Sequence, residues 1–280
     1  MFADSTLARR IERAEAAMSA AMVEGVCRRS GARSCVVPVG AGRAIYAGPG
    51  SPFNKIIGAG LDGAVIDESA LDRAERIFDE HGAAARAEVC VLANPDVFAV
   101  FNRRGYRFET VEHVLGLRLP PVSDIAVPQH ERLLVSRADG ESASRQWIDA
   151  LVEGFAVPDV TETGVTGESF PADVLREVFS NYDGVTDFRR YLAHLDGRVA
   201  GGGGLYTGQG VGILCGAATL AAFRRQGVQG ALLGRRLADA AAVGCDLAVV
   251  TTAPGSKSQQ NAQRQGFALL YARAVLVRAA

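Results

Sequence analysis

One order of segments, punctuated by glycine, runs through this chain twice, and that repetition narrows the folds open to it. Gly58-Ala59 lies 47 residues before Gly105, and Gly216-Ala217 lies 50 residues before Gly266. Each later glycine is followed by an aromatic residue, Tyr106 or Phe267, and Val114-Leu115 and Val275-Leu276 each begin nine residues past it. Around these markers both halves read strand, helix, buried strand, helix and closing strand. Agreement in order, spacing and punctuation predicts a tandem duplication rather than two unrelated domains.

The local patterns give the elements. Leu7, Ile11, Ala14, Met18, Met22 and Val26 recur at helical steps and predict an amphipathic helix ending near Arg29. Short segments at 34–39, 44–47 and 53–60, separated by GAGR and AGPGSP, read as an antiparallel meander. Asp67-Glu68-Ser69 caps a helix to about His81, a buried strand follows at 87–92, and Pro95 opens a helix that Gly105 ends. Residues 106–119 alternate as edge strands that close a first domain, 1–122. The Pro-rich passage 119–129 is the linker to a second, 130–280. There the pattern predicts a strand at 131–136, a helix at 142–155 and a Gly/Thr/Glu loop to about Pro171 that faces substrate. A helix from Asp173, a hairpin at 188–206 and strands at 211–220 and 246–252 follow, with helices at 228–242 and 256–265 and closing strands to Arg278. Ser256-Lys257-Ser258-Gln259 reads as a capping box.

Composition excludes several function classes. A formal net charge of -1 gives no general attraction to nucleic acid or to an acidic membrane, so any anion must be bound locally. No apolar run approaches membrane-spanning length, and the acidic residues of the first helix are unlike a targeting peptide. Five scattered cysteines and four separated histidines lack metal-ligand spacing, so no metal is expected and a reducing, cytoplasmic setting fits. Cys215 and Trp147 read as core, and the glycine run Gly201 to Gly204 as a bulge or close backbone packing.

The residues that carry chemistry lie at Arg224-Arg225-Gln226-Gly227-Val228-Gln229-Gly230. A glycine-containing loop that opens a helix offers unpaired N–H donors and the positive end of the helix dipole, which together cradle an anion. Gly227 and Gly230 allow close approach of a diphosphate, and Arg224 and Arg225 add charge at its edge. Neither a Walker string nor a Gly-x-Gly-x-x-Gly after a strand is present, which disfavours nucleoside triphosphates and dinucleotides. The corresponding loop of the first half, GLDGAVIDESA, places Asp67 and Glu68 at its helix start, where carboxylates repel a diphosphate. Only the second half is expected to bind one.

Here the sequence resembles the GNAT acetyltransferase superfamily, whose central motif is Arg/Gln-x-x-Gly-x-Gly/Ala. Arg224 and Gly227 match its first two fixed positions; Gln229 stands at the third and Gly230 one residue later. The resemblance covers residues 131–278, with 33–119 similar to a truncated copy. It implies an α/β (α+β) fold of two tandem GNAT-like domains, each a mixed, mostly antiparallel central sheet flanked by helices. It further implies acetyl-CoA as cosubstrate, with pyrophosphate on the backbone from Gln226 to Ala231 and pantetheine along Thr219 and Leu220. The acceptor would be a primary amine of a small molecule or peptide, and a homodimer is compatible with it.

Family members commonly carry a tyrosine acid four residues before the Gly-Phe pair, where this chain has Ala262. Tyr271, Ser258 and Asn261 are the alternatives for hydrogen bonding to the thioester or the cofactor, with Tyr271 the candidate acid. The strand before the loop holds no carboxylate, so a base is expected among Glu153, Glu162, Glu168, Asp183, Asp187 or a water chain. An acyl-CoA-binding sensor without turnover is the alternative reading.

Overall fold

A computed structural model describes residues 1–30, 35–63, 66–125, 131–156, 159–161, 164–166 and 171–279. The chain runs α1 (Ser5–Ser30), β1 (Cys35–Val39), β2 (Gly42–Tyr46), β3 (Lys55–Ile57), α2 (Glu68–Glu80), β4 (Ala85–Cys90), α3 (Asp96–Arg103) and β5 (Arg107–Arg118). Then come β6 (Leu133–Arg137), α4 (Glu141–Phe155), β7 (Asp159–Thr161), β8 (Gly164–Thr166), α5 (Ala172–Ser180), β9 (Phe188–Leu195) and β10 (Arg198–Gly208). The last elements are β11 (Val211–Thr219), α6 (Val228–Ala242), β12 (Leu247–Thr252), α7 (Lys257–Arg264) and β13 (Ala268–Arg278). β7 and β8 form a separate hairpin inside the segment read as a loop from sequence. No described helix is long and apolar enough to cross a membrane.

The other strands join one sheet in the order β1-β2-β3-β4-β13-β5-β12-β11-β10-β9-β6. The two halves therefore exchange their closing strands. β13, last in the chain, lies between β4 and β5 of the first half, and β5 lies between β12 and β13 of the second. This corrects the expectation of edge strands at 106–119, because β5 is paired on both sides and closes no domain by itself. The exchange keeps the symmetry of the repeat. Ala268 pairs with Gly116, and the residues 161 positions away, Arg107 and Val277, pair with each other.

Side chains alternate across the sheet and sort the helices onto two faces. On β2, Ile45 packs with Ala16 and Val23 of α1, while Tyr46 meets Phe78 of α2 edge-on at 6.3 Å between ring centroids. In the second half, Ile213 and Val249 share a core with Trp147 and Leu151 of α4 and Phe179 of α5; Leu214 and Ala248 pack with Leu232 of α6 and Ala262 of α7. α4 and α5 thus cover one face and α6 and α7 the other. The run Gly201 to Gly204 is what lets both layers approach β10. A Cβ at Gly203 would sit 3.0 Å from the Arg236 guanidinium of α6, and one at Gly204 would sit 2.5 Å from the Phe188 ring. Trp147 Nε1 donates to Gly203 O at 3.0 Å and Arg236 Nη1 to Gly204 O at 3.1 Å, so the exposed strand carbonyls are met from both sides.

Candidate active site

β11 and β12 are parallel neighbours only from Val211 and Leu247 to Ile213 and Val249. Beyond that, β11 follows β10 to Thr219 and β12 follows β5 to Thr252, so a wedge opens between them. An irregularity deepens it. Gly202 pairs with Ala218 but Gly204 with Cys215, which leaves an extra residue at Gly216-Ala217, and Gly216 takes φ +49°. Such a bulge bends its strand and re-aims its backbone. Leu220 N–H donates to Ala200 O at 2.9 Å, on the β10 side, so alternation turns the backbone of Thr219 toward the wedge. The backbone donor of Leu220 is therefore already taken.

The Arg/Gly loop hangs from the wide end of that wedge. A short 3-10 turn at Ala221–Phe223 leads into an extended Arg224, then Arg225 at φ +63° and Gly227 at φ +83°. Gly227 is the N-cap of α6 and supplies no side-chain cap; the first helical hydrogen bond runs from Ala231 N–H to Gly227 O at 3.0 Å. The N–H groups of Val228, Gln229 and Gly230 precede it and point outward, as the opening turn of a helix requires. A Cβ built on Gly230 would meet nothing within 4 Å, and on Gly227 only Leu133 Cδ2 at 3.9 Å. Val228 and Ala231 bury their side chains beneath, and Arg224, Arg225 and Gln226 rim the turn. Donors, dipole and free space coincide, so these residues fit a diphosphate.

The first half closes the same position. Asp67 caps α2 by accepting Ser69 N–H at 2.9 Å, and Glu68 is drawn to Arg103 and Arg104.

α7 flanks α6. Ser256 Oγ accepts Gln259 N–H at 3.1 Å, while Gln259 Oε1 accepts Gly255 N–H at 2.7 Å, so the capping box closes one residue earlier than the sequence suggests. Asn261 Nδ2 donates to Gln229 Oε1 at 2.7 Å and ties α7 to the first turn of α6; Ser258 stands exposed in the first turn of α7. Asn261 thus borders the loop, and no contact of Ser258 with it is seen among the described residues.

Tyr271 is placed differently from the sequence expectation. It is buried on β13, and its hydroxyl donates to Glu12 Oε1 of α1 at 2.8 Å. Burial, then the neighbouring Glu12 carboxylate, push its pKa well above the usual value, which suits a structural donor and not an acid for the wedge. The physical cause is the buried Arg273 two residues on, which draws Glu12 (2.7 Å) and Glu15 (2.6 Å) of α1 onto that face.

The carboxylates considered as bases are scattered. Glu153 of α4 lines a cavity of about 160 Å³ with Gln146, Asp149, Ala150, Val199 and Leu220, beside the wide end of the wedge. Asp183 pairs with Arg190. Asp187, whose carbonyl accepts Thr207 N–H, lies by the narrow end, since Thr207 pairs with Gly212. Glu162 and Glu168 lie outside the described residues. Cys215 sits 4.0 Å from the Tyr182 hydroxyl with its thiol pushed up to about 12 by burial, so it is a packing residue and a poor nucleophile. No three or more His, Cys, Asp and Glu side chains are grouped to hold a metal ion among the described residues.

Sequence reasoning missed Thr252 and His113. They pair directly across β12 and β5, at the wide end of the wedge. Neither could be found without knowing that the closing strands are exchanged.

Residues 159–267 match the acetyltransferase (GNAT) family. A GCN5-related N-acetyltransferase from Kribbella flavida shares the fold with a TM-score of 0.64 at 17% identity, over 94% of this chain and 94% of that one. A tandem GNAT protein from the clavulanic acid biosynthesis pathway is similar with a TM-score of 0.59 at 14% identity, over 86% and 79% of the two chains. No curated protein matches. Residues 159–267 thus match the GNAT family model, and the chain as a whole is similar in fold to GCN5-related N-acetyltransferases, a tandem member included.

Proposed function

We propose that the carboxy-terminal half, 130–280, is an N-acetyltransferase that uses acetyl-CoA to acetylate a primary amine of a small molecule or peptide, while the amino-terminal half, 1–122, binds no CoA. The match of residues 159–267 to the GNAT family supports acyl transfer in general; the donor and the amine acceptor are inferred from the site. One observation carries it: α6 begins without a side-chain cap, with its N–H donors free, at the mouth of the wedge, whereas α2 is capped by Asp67. Bound acetyl-CoA supplies an activated thioester. The backbone of Gln226 to Ala231 holds its diphosphate, Arg224 and Arg225 neutralise charge at the rim, and Thr219 offers strand-type hydrogen bonds to the pantetheine arm. Asn261 borders the same loop from α7 through Gln229, and Ser258, exposed in the first turn of that helix, is the further candidate contact. Holding the thioester in a closed wedge beside an amine supplies proximity, the larger part of such a rate enhancement.

Gly230 gives a clean test, because a Cβ there meets no protein atom within 4 Å, so a side chain starts out into open space. Gly230→Trp is expected to weaken acetyl-CoA binding at least tenfold by calorimetry. Unchanged affinity in a folded variant would sink the site assignment.

A sensor without turnover is the second reading, favoured by the packing beneath the bulge. A Cβ on Gly216 would lie within 3.9 Å of Leu151, Phe179 and Trp147, and Tyr182 stacks on Phe188 at 3.9 Å, so that face is filled by side chains. Tight CoA binding with no thiol release across polyamines, amino acids and aminoglycosides would favour it.

A further inference from the structure

We propose that His113, on the strand that the amino-terminal half inserts beside β12, is the proton-transfer residue for acyl transfer at the wedge. The inference rests on the acetyltransferase reading of that wedge. It assigns the amino-terminal half a chemical role.

His113 pairs with Thr252, the last residue of β12. Directly paired residues project to the same face. Val114 packs into the core that holds Trp147 and Leu151, and Leu115 into the one under α6 and α7, so His113, two residues before Leu115, faces the α6/α7 side. There its Nδ1 lies 3.3 Å from Gln259 Oε1 in the first turn of α7. The same oxygen accepts Gly255 N–H at 2.7 Å, which fixes the orientation of the Gln259 amide. Facing an oxygen, Nδ1 must carry the hydrogen. In the neutral ring Nε2 is then a bare lone pair, a proton acceptor oriented by a third group. Thr252 Oγ1 beside it is buried without a hydrogen-bond partner. Leaving such a group unpaired is unfavourable, and a polar group entering the wedge would satisfy it.

The repeat provides an internal control. The residue of β13 that corresponds to His113, 161 positions on, is Ala274. It lies beside β4, in the half whose helix start is capped by Asp67. The imidazole is present only next to the half with the open anion site.

The proton path balances. Nε2 takes one proton from the acceptor ammonium, and the amine nitrogen attacks the thioester carbonyl. The C–S bond breaks as the C–N bond becomes an amide; the imidazolium returns its proton to the departing sulfur, and the second proton lost by nitrogen goes to solvent.

Long-range proton–nitrogen spectra of the 15N-labelled full chain test this without an acceptor, with His113→Gln identifying the resonance. The neutral His113 ring is expected to be protonated at Nδ1, and its Nε2 signal to move on saturation with CoA but far less with desulfo-CoA, which lacks the thiol. Protonation at Nε2, or a ring indifferent to CoA that calorimetry shows to be bound, would overturn the proposal and leave the acetyltransferase reading standing. Absence of CoA binding would remove that reading and this one with it. His113→Gln should keep its affinity for acetyl-CoA and lose about 100- to 10,000-fold in turnover.

Discussion

Glu112 and Arg273 face each other on β5 and β13 at the centre of the register that relates the two halves, with Glu112 Oε2 3.6 Å from Arg273 Nη1. They are 161 residues apart, the repeat interval, so each is the other's counterpart. In a symmetric pair of identical strands this position would set a residue against itself. The duplicated chain sets an acid against a base. Around them Glu12 and Glu15 of α1, Lys55 of β3 and Glu88 of β4 complete a buried cluster of four carboxylates and two cations, in which Lys55 Nζ lies 2.9 Å from Glu88 and 3.6 Å from Glu15.

Four carboxylates cannot all ionise cheaply beside two cations; burial pushes Glu12 upward, and Glu112 yields as well. Burial, then the Glu88 carboxylate, push it up to about 7. The unfolded chain releases that proton near pH 4.5, so between about pH 4.5 and 7 the folded state binds more protons, and stability falls as pH rises. The full effect would be about 3 kcal/mol, and partial exposure brings it nearer 1 kcal/mol. Glu112→Gln should make that decline shallower in urea unfolding between pH 5 and 8, leaving the part that the raised Glu12 contributes. Equal slopes in the two proteins would contradict it. Glu15 works oppositely. Burial raises its pKa, but Arg273 and Lys55 outweigh that and hold it at about 2, so its contribution is present above about pH 4.5 and lost as pH falls toward 2.

Removing the cation at the centre is costlier. Arg273→Met leaves Glu12 buried without its cation and Glu15 with Lys55 alone, and breaking a buried pair in this way costs about 3–5 kcal/mol. The variant should unfold at markedly lower urea, with α1 released in the same transition. A loss under 1 kcal/mol would mean that water reaches the cluster.

Most elements were legible because their signals are local. The Asp67 cap, the Gly227 helix start and the helical stripe of α1 follow from neighbours in sequence, and the contrast between Asp67 and Gly227 is the part of the site that a sequence carries. Strand exchange is not local. β5 begins with exposed Arg107, Phe108, Glu109 and Thr110, which reads as an edge, and only Val114, Leu115 and Gly116 further along are fully enclosed. Nothing in that alternation names the neighbouring strands. Tyr271 was misplaced for the same reason: its position on a strand is readable, but the face that α1 covers, and the charges α1 brings there, are not.

Gly204 tests how tightly the Phe188 ring of β9 closes on β10. A methyl there must displace the Phe188 ring from 2.5 Å, and the ring is itself stacked on Tyr182. Overpacking of this kind costs about 1–3 kcal/mol. Gly204→Ala should lower thermal stability accordingly, whereas Gly230→Ala, in open space, should leave it unchanged or slightly raised by helix propensity. Equal melting temperatures for the two variants would show that the core beside β10 yields.

The exchanged strands make a definite statement about independence. Expressed alone, residues 130–280 would lack β5, and with it the partner of Leu247 to Thr252 and of most of β13, as well as Leu115 from the core beneath α6 and α7. β13 would also lose β4, leaving its backbone donors and acceptors without a ladder. This fragment is expected to aggregate or to self-associate through its open edges, and to become a soluble one-to-one complex when residues 1–122 are co-expressed. Size-exclusion chromatography with light scattering separates these outcomes. A cooperatively folded monomer of 130–280 would show that the second half closes its own sheet, and that the exchange holds the halves together without being needed by either.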